Sequence, residues 1–166
     1  MASRSQDDTS GLKQLKAGHS YLAAEGPSRD ILECFENRFP ASRYMVTLTF
    51  PEFTSLCPVT GQPDFGTIVL EYVPDKLCVE SKSFKMYLFA YRSHQSFMET
   101  ITNTVLADVV ALLDPCWARV KGLFAPRGGT AIHVFAEHWK ALAPAEAEAL
   151  REYVRQWKTE PDPHRP

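Results

Sequence analysis

The sequence predicts an α+β domain built on an antiparallel sheet, with elements in the order β-β-α-α-β-β and a closing helix. Two observations carry this. Apolar and polar residues alternate over Arg43–Phe50 and a strand-like run covers Gly66–Val73, whereas over Ser81–Arg92 and Ser96–Leu113 apolar residues recur every three or four positions. A second strand pair, Trp117–Ala125 and Thr130–Trp139, is joined by Pro126-Arg127-Gly128-Gly129, whose glycines reach backbone conformations closed to other residues.

Each element follows in turn. In the first strand Tyr44, Val46, Leu48 and Phe50 alternate with Met45, Thr47 and Thr49, and Pro51 is expected to close it. Pro74-Asp75 breaks the second. The first helix starts near Glu80-Ser81 and carries Phe84, Tyr87, Leu88 and Tyr91 on one face. The second places Ile101, Val105, Val109 and Leu112 on one face, with Pro115 beyond its end. Pro144 suits the first turn of a last helix bearing Leu150, Tyr153, Val154 and Trp157. Residues 1–27 are expected to form an N-terminal arm, 28–158 one domain, and 159–166 a tail.

Composition narrows the function. The 166 residues hold 18 Lys and Arg against 20 Asp and Glu, a net charge of -2, so no strong positive field points to nucleic acid or an anionic membrane. Met1–Ser10 is polar and no apolar run approaches the roughly 18 residues of a membrane span. A cytoplasmic protein is expected. Cys34, Cys57, Cys78 and Cys116 are scattered, as reduced thiols are, and no Cys-x-x-Cys pair suggests zinc. His133 and His138, five apart on a strand, face opposite sides, so no metal site is expected there.

The stretch Phe53–Phe65 reads as a reactive loop. Fully extended, it would hold Cys57 and Asp64 roughly 24 Å apart, but Pro58, Gly61 and Pro63 favour turns that bring a thiol and a carboxyl together. Two readings of Cys57 stand: a nucleophile on a loop, or a small inert core residue. Asp64 is either its proton-transfer partner or a turn residue bonded to backbone amides. Lys82 and Lys85 lie three apart near a helix start, where amides favour anions; they suit a phosphate-bearing cofactor or a plain solvated face. Glu99 near the next helix start is a binding carboxylate or a dipole-complementing one.

Together, Phe53–Phe65, the run Glu80-Ser81-Lys82-Ser83-Phe84-Lys85, Phe97-Met98-Glu99 and Pro126–Gly129 resemble the short form of the NADPH-dependent 7-cyano-7-deazaguanine reductases, nitrile reductases of queuosine synthesis. The resemblance runs from about Tyr44 to Val134. It implies the tunnelling fold (T-fold), an antiparallel sheet with two helices on one face, whose subunits join edge to edge into a barrel. It further implies a homodecamer of two pentamers with active sites between subunits. Cys57 matches the family nucleophile that attacks the nitrile to form a thioimide, and Asp64 the proton-transfer residue. Val79, Glu80, Ser81, Met98 and Glu99 match substrate-binding positions. Ser81, Lys82, Arg127 and Gly128 match the NADPH contacts, with Lys85 adding charge near the cofactor phosphates. The product is the 7-aminomethyl base, after two hydride transfers; transfer RNA itself is not the substrate.

One departure stands out. Met98 occupies the place of a family histidine, replacing an imidazole with a thioether that exchanges no proton. His94 and His133 are the histidines nearest to hand. Two other functions share the pattern: an amidinotransferase of the same fold, which meets the thioimide with ammonia, and a deazapurine-binding protein without turnover. The lysine-bearing run after Glu80 argues against the first.

Overall fold

The computed structural model describes residues 26–159. Its main sheet has four antiparallel strands in the order β2-β3-β5-β6: β2 (Val46–Leu56), β3 (Pro63–Val73), β5 (Trp117–Phe124) and β6 (His133–Trp139). Helices α1 (Ser81–Phe89) and α2 (Met98–Leu113) follow β3, and α3 (Pro144–Thr159) closes the described chain. The β-β-α-α-β-β order of the main elements is therefore present. A second, two-stranded sheet pairs β1 (Cys34–Glu36) with β4 (Leu77–Val79). The expected tail beyond Thr159, which ends α3, and nearly all of the expected N-terminal arm lie outside the described residues.

Why the chain adopts this layering follows from the period of two along its strands. Ile68, Leu70 and Tyr72 of β3 join Phe84, Tyr87 and Leu88 of α1 and Ile101, Val105 and Val109 of α2 in one core. Ile101, Val105 and Val109 are wholly buried, each contributing about 1.5–3 kcal/mol of hydrophobic stabilisation. Both helices thus cover one face of the sheet. Leu112 packs partly buried against the same core, and Leu113 beside it is buried as well. The alternate residue Val73 packs on the other face, where it meets Trp117, Leu150 and Val154 beneath α3. Glu71 shares that side, fully buried and bonded through Oε2 to Arg119 at 2.6 and 2.8 Å.

Several boundaries depart from expectation; β3 begins at Pro63 rather than Gly66, and β6 at His133 rather than Thr130. Pro51 does not close the first strand: β2 continues to Leu56, with a register shift between Phe50 and Phe53. β2 is an outer strand of the sheet, where a bulge and a missing N–H are tolerated. The first helix ends at Phe89 and tightens into a 3₁₀ turn over Ala90–Ser93, as helix ends often do. α2 begins at Met98, two residues later than expected, because Phe97 is still extended.

β2 and β3 form a hairpin whose far tip is held closely to β5. A Cβ on Gly66 would stand 2.7 Å from the Leu123 carbonyl oxygen and 3.0 Å from Phe124 Cα. Only a residue without a side chain lets these backbones approach, and this close approach fixes the position of the residues just before it.

Candidate active site

Cys57 stands where β2 ends. Its N–H donates to the Gln62 carbonyl at 2.8 Å, and the Gly61 N–H donates back to the Cys57 carbonyl at 2.9 Å. Gly61 has φ +68°, a left-handed conformation that glycine adopts without steric penalty. The turn is therefore shorter than the loop expected over Phe53–Phe65. Strand pairing claims both flanks, and Asp64 lies within β3, directly opposite Ser55.

The Cys57 thiol is 5% exposed. The Thr60 hydroxyl, then the backbone N–H groups of Thr60 and Val59, donate toward the sulfur, and the Arg127 charge adds a smaller pull; partial burial opposes them. Together they bring the thiol from its ordinary 9.0 down to about 7. About half is then thiolate at neutral pH, where an unperturbed thiol is only a few per cent ionised.

Asp64 is equally enclosed, its side chain 3% exposed, and accepts a bond from Arg127 Nη1 at 2.5 Å. Arg127 comes from the loop between β5 and β6. That loop is closed by reciprocal backbone bonds between Arg127 and Thr130, with Gly128 and Gly129 both at positive φ. The guanidinium is 42% exposed, so it faces both the buried carboxylate and the solvent. Through Asp64 it touches the Cys57 hairpin.

The start of α2 joins the same end of the molecule. Leu56 N–H donates to the His94 carbonyl and Ser96 N–H to the Leu56 carbonyl, at 3.0 and 3.1 Å. Phe97-Met98-Glu99 follows immediately. Glu99 is exposed in the first turn of α2, while Met98 is 5% exposed and its side chain belongs to the core. His94 is exposed and stacks edge-on against Tyr91, with ring centroids 5.7 Å apart. His133 lies on β6 and is exposed.

Val79, Glu80 and Ser81 lie elsewhere. They line a cavity of about 320 Å³ with Phe35, Tyr44 and Tyr72, an aromatic wall with one carboxylate at its rim. Such a lining suits a flat, hydrogen-bonding ring. The Val79 N–H donates to Tyr72 Oη at 3.1 Å and Tyr44 Oη donates to Asn37 Oδ1 at 2.7 Å, which fixes both rings. Glu80 caps α1, accepting from the N–H groups of Lys82 and Ser83 at 2.8 and 2.7 Å. These bonds hold its carboxyl below the usual carboxylate range. They also correct an expectation: two of the α1 amides proposed to attract a phosphate are already taken. Lys82 and Lys85 are exposed on the outer side of α1, so their side chains, with Arg127, are the groups that fit an anionic cofactor.

Two clusters thus occupy opposite ends of the sheet. Leu48 lines the cavity, and from there β2 runs roughly 30 Å to Cys57. By the other path, α1 and its 3₁₀ extension run roughly 20 Å from Ser81 to Ser93, arriving beside Leu56. No single small ring spans that distance. Ser55, Thr60, Phe35 and Tyr44 escaped the sequence reading. For Ser55 a signal existed, since in a strand it shares a face with Cys57.

Comparison with known proteins adds the following. A family model described as QueF-like protein matches residues 63–143. The chain is 66% identical, over 167 aligned positions covering all of both proteins, to an NADPH-dependent 7-cyano-7-deazaguanine reductase of Desulfovibrio desulfuricans. It is 62% identical over 164 positions, 99% of each chain, to the reductase of the same description from Nitratidesulfovibrio vulgaris. A Neisseria gonorrhoeae reductase of that description is 46% identical over 90% of this chain and 94% of its own. Among solved structures, an archaeosine synthase QueF-Like in the apo form aligns with TM-score 0.56 and 24% identity, covering 61% of this chain and 99% of that one. That likeness concerns the fold, and it agrees with the T-fold architecture.

Proposed function

We infer the activity from the family to which the chain belongs, the NADPH-dependent 7-cyano-7-deazaguanine reductases. The protein reduces the nitrile of 7-cyano-7-deazaguanine to the 7-aminomethyl base, a step in the synthesis of the queuosine of tRNA. The observation that carries the mechanism is the β2–β3 hairpin, which holds a thiol near pKa 7 two strand positions beyond the residue facing a buried carboxylate.

The residues act as follows. Cys57 sulfur bonds to the nitrile carbon as one C–N π bond opens, and the proton given up by the thiol reaches the nitrogen through Asp64. Sulfur and carbon are then joined in a thioimide, with no net oxidation. Bound NADPH supplies the hydrides of the two reductions. Arg127 holds the Asp64 carboxylate in place from one side and extends toward the cofactor's phosphates with Lys82 and Lys85; Ser81 and Gly128 complete that contact. Glu99 accepts paired hydrogen bonds from the guanidine-like edge of the base. Val79, Glu80 and Ser81 hold the ring in the aromatic cavity, and Met98 supports the site from the core. Because Cys57 must remain a thiol and NADPH reduced, the reducing cytoplasm is the compartment that suits the reaction. Among the described residues no helix is long and apolar enough to cross a membrane.

The distance between the two clusters supports an active site completed by a second copy, within a decamer of two pentameric rings. β2 and β6 are the outer strands of the sheet, and long outer strands offer backbone groups for edge-to-edge pairing. Exposed Val59, Phe65 and Phe97 surround the Cys57 end, and exposed Phe35 and Phe39 the cavity end. Complementation tests this arrangement. Cys57→Ala and Lys82→Glu chains, each inactive alone in substrate-dependent NADPH oxidation, are expected to regain roughly a quarter of wild-type activity when unfolded and reassembled together, the fraction of randomly formed interfaces intact on both sides. No recovery, from a mixture whose assembly matches wild type, places all the groups of one site in one chain.

A further inference from the structure

Ser55 is a fully buried residue whose Oγ has no hydrogen-bond partner among the described residues. Burying a hydroxyl without a partner is costly, and native proteins rarely retain one unless it serves some other state. Its surroundings identify that state. Phe53 and Ser55 alternate on one face of β2, Cys57 follows two residues after Ser55 just past the strand's end, and all three are buried. Ser55 is the direct cross-strand partner of Asp64, a relation that sets Cβ atoms about 4.5–5.5 Å apart on the same face. Asp64, for its part, bonds through Oδ1 to Arg127, and among the described residues no bond is made by Oδ2 to Ser55.

Resting on the reading of Cys57 and Asp64 as nucleophile and proton carrier, we propose that Ser55 is a positioning residue for Asp64. Its hydroxyl donates to one carboxyl oxygen while the other passes the thiol proton to the nitrile nitrogen. The bookkeeping of atoms is simple: the S–H bond breaks, S–C and N–H bonds form, and Asp64 ends as it began. What Ser55 contributes is direction. A carboxyl gripped only by a partly exposed guanidinium pivots about that contact; a second bond from the opposite strand fixes the plane of the carboxyl and the lone pair aimed at the substrate. The small turn beyond Cys57 and the close approach at Gly66 leave the two strands little freedom to shift, so the alignment depends on this one rotor.

The proposal separates function from stability. A residue that merely fills the core lowers Tm when trimmed; an unpartnered hydroxyl does not. The experiment follows covalent adduct formation on Cys57 by intact mass, with 7-cyano-7-deazaguanine and no NADPH, in wild type, Ser55→Ala and Ser55→Thr. Ser55→Ala is expected to form the adduct about 10- to 100-fold more slowly with Tm unchanged or raised. Substrate affinity, measured in a Cys57→Ala background, is expected to stay within about twofold. Ser55→Thr, which keeps the hydroxyl, restores most of the rate. An adduct rate in Ser55→Ala within about twofold of wild type overturns the assignment. So does a slow rate accompanied by a lowered Tm and not recovered by threonine. Absence of any adduct in wild type contradicts the thioimide reading itself, a result distinct from either.

Discussion

Cys57→Ala lowers turnover by about 10⁴-fold or more, because no other described group stands ready to form the bond to carbon. Binding of 7-cyano-7-deazaguanine survives, since the groups assigned to the ring lie in the cavity and at Glu99. The same residue sets the pH dependence of the wild type. With the thiol brought down to about 7, the thiolate is about a tenth of the population at pH 6 and about nine-tenths at pH 8. The proton that reaches the nitrogen is the one the thiol gives up, so adduct formation is expected to hold level below an apparent pKa near 7 and to fall above it. Thr60→Val removes the hydroxyl that lowers the thiol most, so it moves that midpoint upward, toward the ordinary thiol value. Stopped-flow adduct formation across pH reads both effects; a midpoint left in place by Thr60→Val assigns the lowered pKa to another group.

The second large effect belongs to Asp64. Asp64→Asn keeps the shape of the side chain and an oxygen that accepts from Arg127, but the amide cannot carry a proton from sulfur to nitrogen. Turnover falls by about 10²- to 10⁴-fold, the range of a positioned acid–base group. Stability changes little by comparison. Arg127 is 42% exposed, so loss of its charged partner costs far less than the ~3–5 kcal/mol of breaking a fully buried pair. Thermal unfolding beside single-turnover kinetics separates the two quantities. A variant that reacts at the wild-type rate removes Asp64 from the proton path.

How much of this was legible in the chain depends on the range of the interactions involved. The buried faces of α1 and α2 follow from spacing alone, because Phe84, Tyr87, Leu88 and Tyr91, or Ile101, Val105 and Val109, need only a neighbouring apolar sheet. The T-fold and the family were carried by specific runs, Phe53–Phe65 and Glu80–Lys85 above all. The three-residue strands β1 and β4 were not legible: Phe35 pairs with Cys78 across more than forty residues, and neither segment is long enough to show a period. Pro51 misled because the sequence does not announce which strand lies at the edge of a sheet. The amides at the start of α1 were read as available to a phosphate, yet Glu80, one residue before the helix, occupies two of them.

For the candidate site, the resemblance names residues and not their geometry. Arg127 is expected from the resemblance to contact the cofactor, but its bond to Asp64 joins a loop to a strand sixty-three residues away, and no local pattern reports it. Likewise the separation of Glu80 from Cys57 emerges only when α1 is seen to run alongside β2. Met98 was singled out as a lost imidazole; its side chain lies in the core with Ile101 and Val105, where a thioether packs without needing a partner.

The most direct test of the account counts NADPH. Purified protein is given a known amount of 7-cyano-7-deazaguanine, loss of NADPH absorbance is followed to completion, and the product is identified by mass. Nitrile-to-amine reduction is a four-electron change, so two NADPH are expected to be consumed for each 7-aminomethyl base formed. Formation of the Cys57 adduct without NADPH oxidation, followed by its conversion with ammonia to an amidine, would contradict the reductase and establish amidinotransfer in its place.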